Sequence, residues 1–111
     1  MNLKESIQRK LNEFLTLCKS HNVESIYAFG SSVNNNFNDE TSDFDLIIEI
    51  DSEDPIVRGE KLISIWDKLE ELFQRKVDLL TNSSIRNPIL KKSIESTKIL
   101  IYDGKKQEVS F

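Results

Sequence analysis

The run Asp43-Phe44-Asp45-Leu46-Ile47-Ile48-Glu49-Ile50 constrains the fold more than any other stretch of the chain. Its β-branched and leucine content predicts a strand over Asp43–Ile50. Leu46, Ile47 and Ile48 in succession relax the strict in–out alternation, as happens when both faces of a strand are at least partly covered. A strand cannot satisfy its own backbone hydrogen bonds, so others must flank it. Three more short apolar runs are available, at Ser25–Gly30, Lys76–Thr81 and Lys98–Tyr102. Amphipathic segments separate them. A helix is expected from about Asn2 to Ser20, with Leu3, Ile7, Leu11, Phe14 and Cys18 at helical spacing. A second is expected from about Val57 to Gln74, with Leu62, Ile65, Trp66, Leu69, Leu72 and Phe73 on its apolar stripe. Asn87-Pro88 supplies an N-cap and a first helical residue for a third, over Pro88–Ser96. Ser31–Ser42, rich in Asn, Ser and Asp, is expected to be a loop with one short helical turn. The order predicts an α/β (α+β) fold: a small mixed sheet of about four strands flanked by helices. The domain is expected to span residues 1–103, with a loose polar tail at 104–111. Trp66, Tyr27 and Tyr102 are expected in the core, and His21 at a helix end in a capping or solvated role.

The 111 residues fit one compact domain. A hydrophobic fraction of 38% with 31% charged residues is that of a globular chain, not a disordered one. A domain this small buries a modest core, so a homo- or hetero-oligomer would support it. A net charge of -4 argues against direct, sequence-independent binding of nucleic acid, which needs a basic surface. It leaves room for a nucleotide, because a metal ion offsets phosphate charge locally. Cys18 is the only cysteine, which excludes an internal disulfide and a cysteine-based metal site. The first fourteen residues are amphipathic without a long apolar core, so neither a signal peptide nor a membrane span is expected, and the location is expected to be cytoplasmic.

Three acids and one turn carry the chemistry. Asp43 and Asp45 lie two apart on a strand, so their carboxylates face the same side. They stand where the strand begins, and Ile47 shares their face further in, which puts them at the rim of the core. Two like charges held this close favour a divalent cation, and hard oxygen ligands suit Mg²⁺ or Mn²⁺. The plainer alternative is that one Asp caps a turn and the other is solvated. Asp78 sits between Val77 and Leu79, where a carboxylate is costly unless paired or metal-bound. If its strand lies beside the second, Asp78 completes a three-carboxylate site; otherwise it pairs with a loop, Arg75 or Lys76. Gly30 closes the first strand, and Ser31 and Ser32 follow. Glycine there lets backbone N–H groups approach a phosphate, and the Ser31 hydroxyl is placed to donate to it. No lysine follows at the spacing of a Walker motif.

Gly30-Ser31, the intervening residues 32–42, Asp43-Phe44-Asp45 and the later strand acid Asp78 together resemble the polymerase-β-like nucleotidyltransferase superfamily. Within it, the stretches YAFGSS, TSDFDLIIEI, KVDLLT and IRNPILKKSIESTKILIY resemble the minimal nucleotidyltransferase group, so the likeness covers nearly the whole chain. The resemblance implies the superfamily's fold and two Mg²⁺ ions on Asp43 and Asp45, with Mn²⁺ as an alternative. It implies Asp78 as a ligand that helps deprotonate the acceptor, and Gly30, Ser31 and Ser32 as holders of the triphosphate. The implied reaction is attack of a hydroxyl on the α-phosphorus of ATP, with pyrophosphate released. Members of this group are often paired with a helical HEPN-domain toxin and act as its antitoxin by transferring AMP to a tyrosine, which implies a protein adenylyltransferase with a HEPN-type partner. The other functions considered are an antitoxin that neutralises its partner by contact alone, and a transferase acting on a small molecule such as an antibiotic. The chain departs from the pattern in one respect: no Lys or Arg occurs between Gly30 and Asp45. Arg58, Lys76 and Arg86 are the candidates to replace that charge, with Arg86 first because it stands in the shared IRNP stretch.

Overall fold

The computed structural model describes residues 2–33 and 43–111. In chain order the elements are α1 (Leu3–Arg9), α2 (Leu11–Ser20), β1 (Val23–Ala28), a 3-10 turn (Gly30–Val33), β2 (Phe44–Ile50), α3 (Pro55–Phe73), β3 (Val77–Leu80), a second 3-10 turn (Asn82–Ser84), α4 (Pro88–Thr97), β4 (Ile99–Asp103) and β5 (Glu108–Val109). Among the described residues the strands form one five-stranded sheet in the order β3-β2-β1-β4-β5. β2 and β3 run parallel, and the other pairs are antiparallel. This is the expected α+β architecture, with one strand more than the sequence suggested.

Local chemistry explains most of the boundaries. Asp54 Oδ1 accepts from the Ile56 N–H at 2.9 Å, Pro55 opens α3, and Gln74 closes it in the left-handed region at φ 51°. Asn87 caps α4 by accepting from the N–H groups of Ile89 and Leu90, with Pro88 following as expected. The single N-terminal helix divides instead at Lys10 (φ -128°, ψ 39°). The apolar periodicity continues across the break, so it gave no warning. Lys10 Nζ donates to the Leu72 carbonyl at 2.9 Å near the end of α3, and this tether lies at the corner between α1 and α2.

α1, α2 and α3 contribute to a core on one face of the sheet. Ile26 and Ala28 of β1 and Phe44, Leu46 and Ile48 of β2 are buried in the same cluster as Ile7, Phe14, Cys18, Ile65 and Leu69. Phe44 meets Phe73 edge-on with ring centroids 5.3 Å apart. Each such buried side chain contributes about 1.5–3 kcal/mol. Burial in this apolar cluster pushes the Cys18 thiol up to about 12.

Three expectations need correction. Trp66 is 37% exposed at the edge of the helix layer, where its Nε1–H donates to the Val77 carbonyl at 2.8 Å; the indole needs that partner and finds it at the rim. His21 takes the capping one of its two expected roles, as the C-cap of α2, and is buried there: Nδ1 lies 2.8 Å from the Leu17 carbonyl and Nε2 lies 2.9 Å from Ser64 Oγ, so both ring nitrogens are engaged. The C-terminal residues are not loose. Glu108–Val109 pairs with β4, and Gly104 turns the chain so closely over β1 that a Cβ there would run into the Val23 and Glu24 carbonyls. Tyr102 is buried as expected, whereas Tyr27 is half-buried on the opposite face with the Lys98 ammonium 4.4 Å from its ring centre.

Candidate active site

The face of β2 turned away from the main core carries Asp45, Ile47 and Glu49. Asp43 stands one residue before the strand and continues the same alternation, so the strand begins at Phe44 and not at Asp43. Ile47 is 1% exposed, while Asp43 and Asp45 are half-buried. The acids therefore sit at the rim of the packed region, as their spacing predicted.

β3 brings in the third acid. Its parallel register sets Asp45 beside Asp78, Phe44 beside Val77 and Leu46 beside Leu79. In-register neighbours on a parallel pair share a face, with strands about 4.8 Å apart. Val77 and Leu79 are buried in the main core, and Asp78 is exposed on the other side. This corrects the argument from burial cost. Asp78 needs no partner to offset desolvation, because β3 is a sheet edge and its outer side meets solvent. The backbone thus gathers three acids on one face. Among the described residues, no three carboxylate, histidine or cysteine groups are drawn together into a ready-made metal centre.

The Gly30 turn is locked to Asp45 by three features. The Phe29 N–H donates to the Asp45 carbonyl at 3.0 Å. The Asp45 N–H donates to Ser32 Oγ at 2.8 Å. Gly30 has φ 60°, and a Cβ built on it would stand 2.8 Å from Asp45 Oδ2. A side chain at position 30 would be strained in that backbone conformation and would push that carboxylate aside. Ser31 belongs to the same 3-10 turn. Ser32, expected as a phosphate contact, spends one lone pair on holding the Asp45 backbone. The fixed relation between turn and carboxylate was not legible in the spacing, because it exists only once β2 lies alongside the turn; of the loop expected over Ser31–Ser42, residues 34–42 lie outside the described residues.

Of the proposed replacement cations, Arg58 donates through Nη1 to the Ser52 carbonyl at 2.8 Å, which ties it to the turn before α3. Lys76 and Arg86 are exposed. Two features escaped the sequence reading. Glu49 Oε1 accepts from the Asn82 N–H at 2.8 Å and fastens the turn after β3 to β2. Ser93 and Thr97 of α4 line, with Gly30, a cavity beside the site. Their signal was a helical spacing that also describes ordinary packing.

Comparison with known proteins shows the family and the fold. The nucleotidyltransferase domain family matches residues 11–101. One Methanocaldococcus jannaschii protein, provisionally named a protein adenylyltransferase, is 41% identical over 99 residues, covering 89% of this chain and 94% of its own length. A second so named from the same organism is 41% identical over 97 residues, covering 87% and 93%. Among solved structures, a minimal nucleotidyltransferase superposes with a TM-score of 0.61 at 21% identity, covering 89% of this chain and 95% of that one. A toxin–antitoxin structure determined with AMP-PNP superposes with a TM-score of 0.58 at 21% identity, covering 86% and 78%. At these identities the structural likeness speaks to the fold.

Proposed function

We propose, because this chain belongs to the nucleotidyltransferase domain family, that it transfers AMP from ATP to a hydroxyl of a partner protein. The observation that carries this reading is the position of Asp45. Its backbone is hydrogen-bonded to the Gly30 turn, its carboxylate lies close against Gly30, and on the other side it is in register with Asp78. This arrangement supports reading the turn as the phosphate cradle and Asp78 as the acid for the incoming hydroxyl, on either side of one residue.

Each group has a role. Backbone N–H groups of the Gly30–Val33 turn, with Ser31, bind the triphosphate. Asp43, Asp45 and Asp78 present hard oxygen donors on one face, a set that fits Mg²⁺ or Mn²⁺. These carboxylates would hold the divalent ions, whose chemistry when bound would be to neutralise phosphate charge and polarise the reacting oxygens. Asp78, exposed at the sheet edge, orients the acceptor hydroxyl and takes its proton. The oxygen then attacks the α-phosphorus in line, the bond to the β-phosphate oxygen breaks, and pyrophosphate leaves. Positioning and charge compensation supply most of the acceleration.

The acceptor is a HEPN-type toxin, for which this chain is the antitoxin. Supporting this are the naming of its relatives as protein adenylyltransferases and the toxin–antitoxin assemblies among structures of this fold. Among the described residues no helix is long and apolar enough to cross a membrane; a cytoplasmic site of action is part of the proposal. The test is incubation with α-labelled ATP, Mg²⁺ and the helical protein encoded beside it. Label on a tyrosine of that protein is expected; a folded protein that transfers none overturns the reading. A second reading, neutralisation by contact alone, draws on the lack of Lys or Arg between Gly30 and Asp45. It requires Asp43→Asn with Asp45→Asn to leave neutralisation intact.

A further inference from the structure

α3 carries an apolar seam that the described residues leave largely open. Ile56 and Ile63 stand seven residues apart and are 72% and 71% exposed. Gly59 and Trp66 each follow one of them by three residues. The four therefore recur in the alternating three- and four-residue steps along which one helix packs against another. None of them is needed for packing on the sheet, which falls to Ile65 and Leu69 on the buried side of α3. Gly59 is the second unexplained feature. Glycine inside a helix is less stable than alanine, yet nothing stands within 4 Å of the point where a Cβ would be. The fold itself does not require glycine there. A cavity of about 200 Å³ opens beside it, between α3 and the turn after β3, lined in part by Leu62, Thr81 and Ser83.

We propose that this seam is the docking surface for the acceptor protein, which lays on it an amphipathic helix with basic residues beside its apolar face. The inference rests on the AMP-transfer reading above and adds where the acceptor sits. Gly59 is the point of closest approach, where a side chain of the partner enters the space that a Cβ would narrow.

Charge selects the occupant. Glu60 and Asp67 each follow an isoleucine of the seam by four residues and are exposed along one flank. On the other flank Leu62 and Leu69 turn toward the core. The accessible border is thus acidic, and Lys61 and Lys68 lie further round the helix. A basic partner complements it, and a second copy of a chain with net charge -4 does so less well. Position ties the seam to the chemistry. Trp66 Nε1–H donates to the Val77 carbonyl at 2.8 Å, and Glu70 Oε2 accepts from the Val77 N–H at 2.9 Å, so the seam runs onto the edge of β3. The next residue on that edge is Asp78, which is exposed. A helix lying along the seam is brought beside the acid assigned to the acceptor hydroxyl.

The test titrates the protein with the helical protein encoded beside it, without nucleotide, and in parallel with Mg²⁺–ATP. Ile56→Asp with Ile63→Asp should weaken binding of the acceptor protein about a hundredfold and leave Mg²⁺–ATP affinity unchanged. Glu60→Lys with Asp67→Lys should weaken it about tenfold at low salt and less at high salt. Gly59→Ala should raise the melting temperature by a few degrees while weakening the acceptor about fivefold, a pair of effects that misfolding cannot produce. Unchanged acceptor affinity in the folded variants overturns the inference and leaves the transfer reading standing. Self-association of the wild type that is lost in the isoleucine variant, with acceptor affinity unchanged, also overturns it, by giving the seam to a second copy. Acceptor binding that the variants abolish, without label transfer by the wild type, overturns the transfer reading and keeps the seam. Wild-type protein that neither binds nor labels the acceptor overturns both.

Discussion

The two faces of β2 are made by alternate residues of one strand, yet they answer to different demands. Phe44, Leu46, Ile48 and Ile50 are buried against the helix layer and hold the fold together. On the reverse, Asp45 and Glu49 are half-buried, with Ile47 as the one fully buried member of that row. The first face tolerates little, because a packed interior responds to the loss of even a methylene. On the second, only Ile47 is packed, and the half-buried positions beside it are free to carry charge. A strand with one face committed to packing is a rigid mount for the groups on the other, which a transfer reaction governed by positioning requires.

This contrast can be broken in four ways. The largest effect is expected on the charged face. Asp43→Asn with Asp45→Asn should lower transfer of label from ATP by about a thousandfold. The same double variant should melt within a few degrees of wild type in metal-free buffer, since both side chains are only half-buried and the amides keep their size. A large fall in its melting temperature would mean that the two faces are not separable. On the core face, Leu46→Ala should cost about 2–5 kcal/mol in urea unfolding. Any residual activity of that variant should track its folded fraction.

Asp78→Asn is expected to lower the transfer rate about a hundredfold while shifting stability by no more than about 0.5 kcal/mol, because the side chain is exposed. Equal losses of rate and stability would place Asp78 in the fold instead of the site. The smallest effect concerns Cys18. Burial raises its thiol from 9.0 to about 12, so the folded state keeps a proton that the unfolded chain releases. Its contribution to stability is full below pH 9 and declines as the pH rises toward 12. Native protein at pH 8 should therefore resist alkylation at Cys18 until denaturant is added, and prompt labelling would show that the helix layer opens readily.

Much of this was legible in the sequence. The Asn87-Pro88 cap announced α4, the apolar runs announced β1 to β4, and the two-residue spacing of Asp43 and Asp45 placed them on one face. What escaped depended on partners distant in the chain. The break at Lys10 coincides with a tether to Leu72, which no local pattern encodes. β5 forms because Gly104 fits closely over β1 and brings Val109 alongside Tyr102. His21 is buried because Ser64 on α3 meets its second nitrogen. Asp78 was correctly singled out but for the wrong reason: burial cost pointed to it, whereas its actual setting is an exposed edge in register with Asp45. The dual constraint on Gly30, from backbone and carboxylate, likewise emerges only when β2 lies alongside the turn.

The central claim is that Asp43 and Asp45, mounted beside the Gly30 turn, form the metal–nucleotide site of this nucleotidyltransferase. Binding of Mn²⁺–ATP, followed by paramagnetic broadening of the ATP phosphorus resonances and by titration calorimetry, tests it most directly. The account predicts saturable binding by the wild type and its loss, by about a hundredfold or more in affinity, in the Asp43→Asn/Asp45→Asn variant. A folded double variant that binds Mn²⁺–ATP as tightly as the wild type would contradict it.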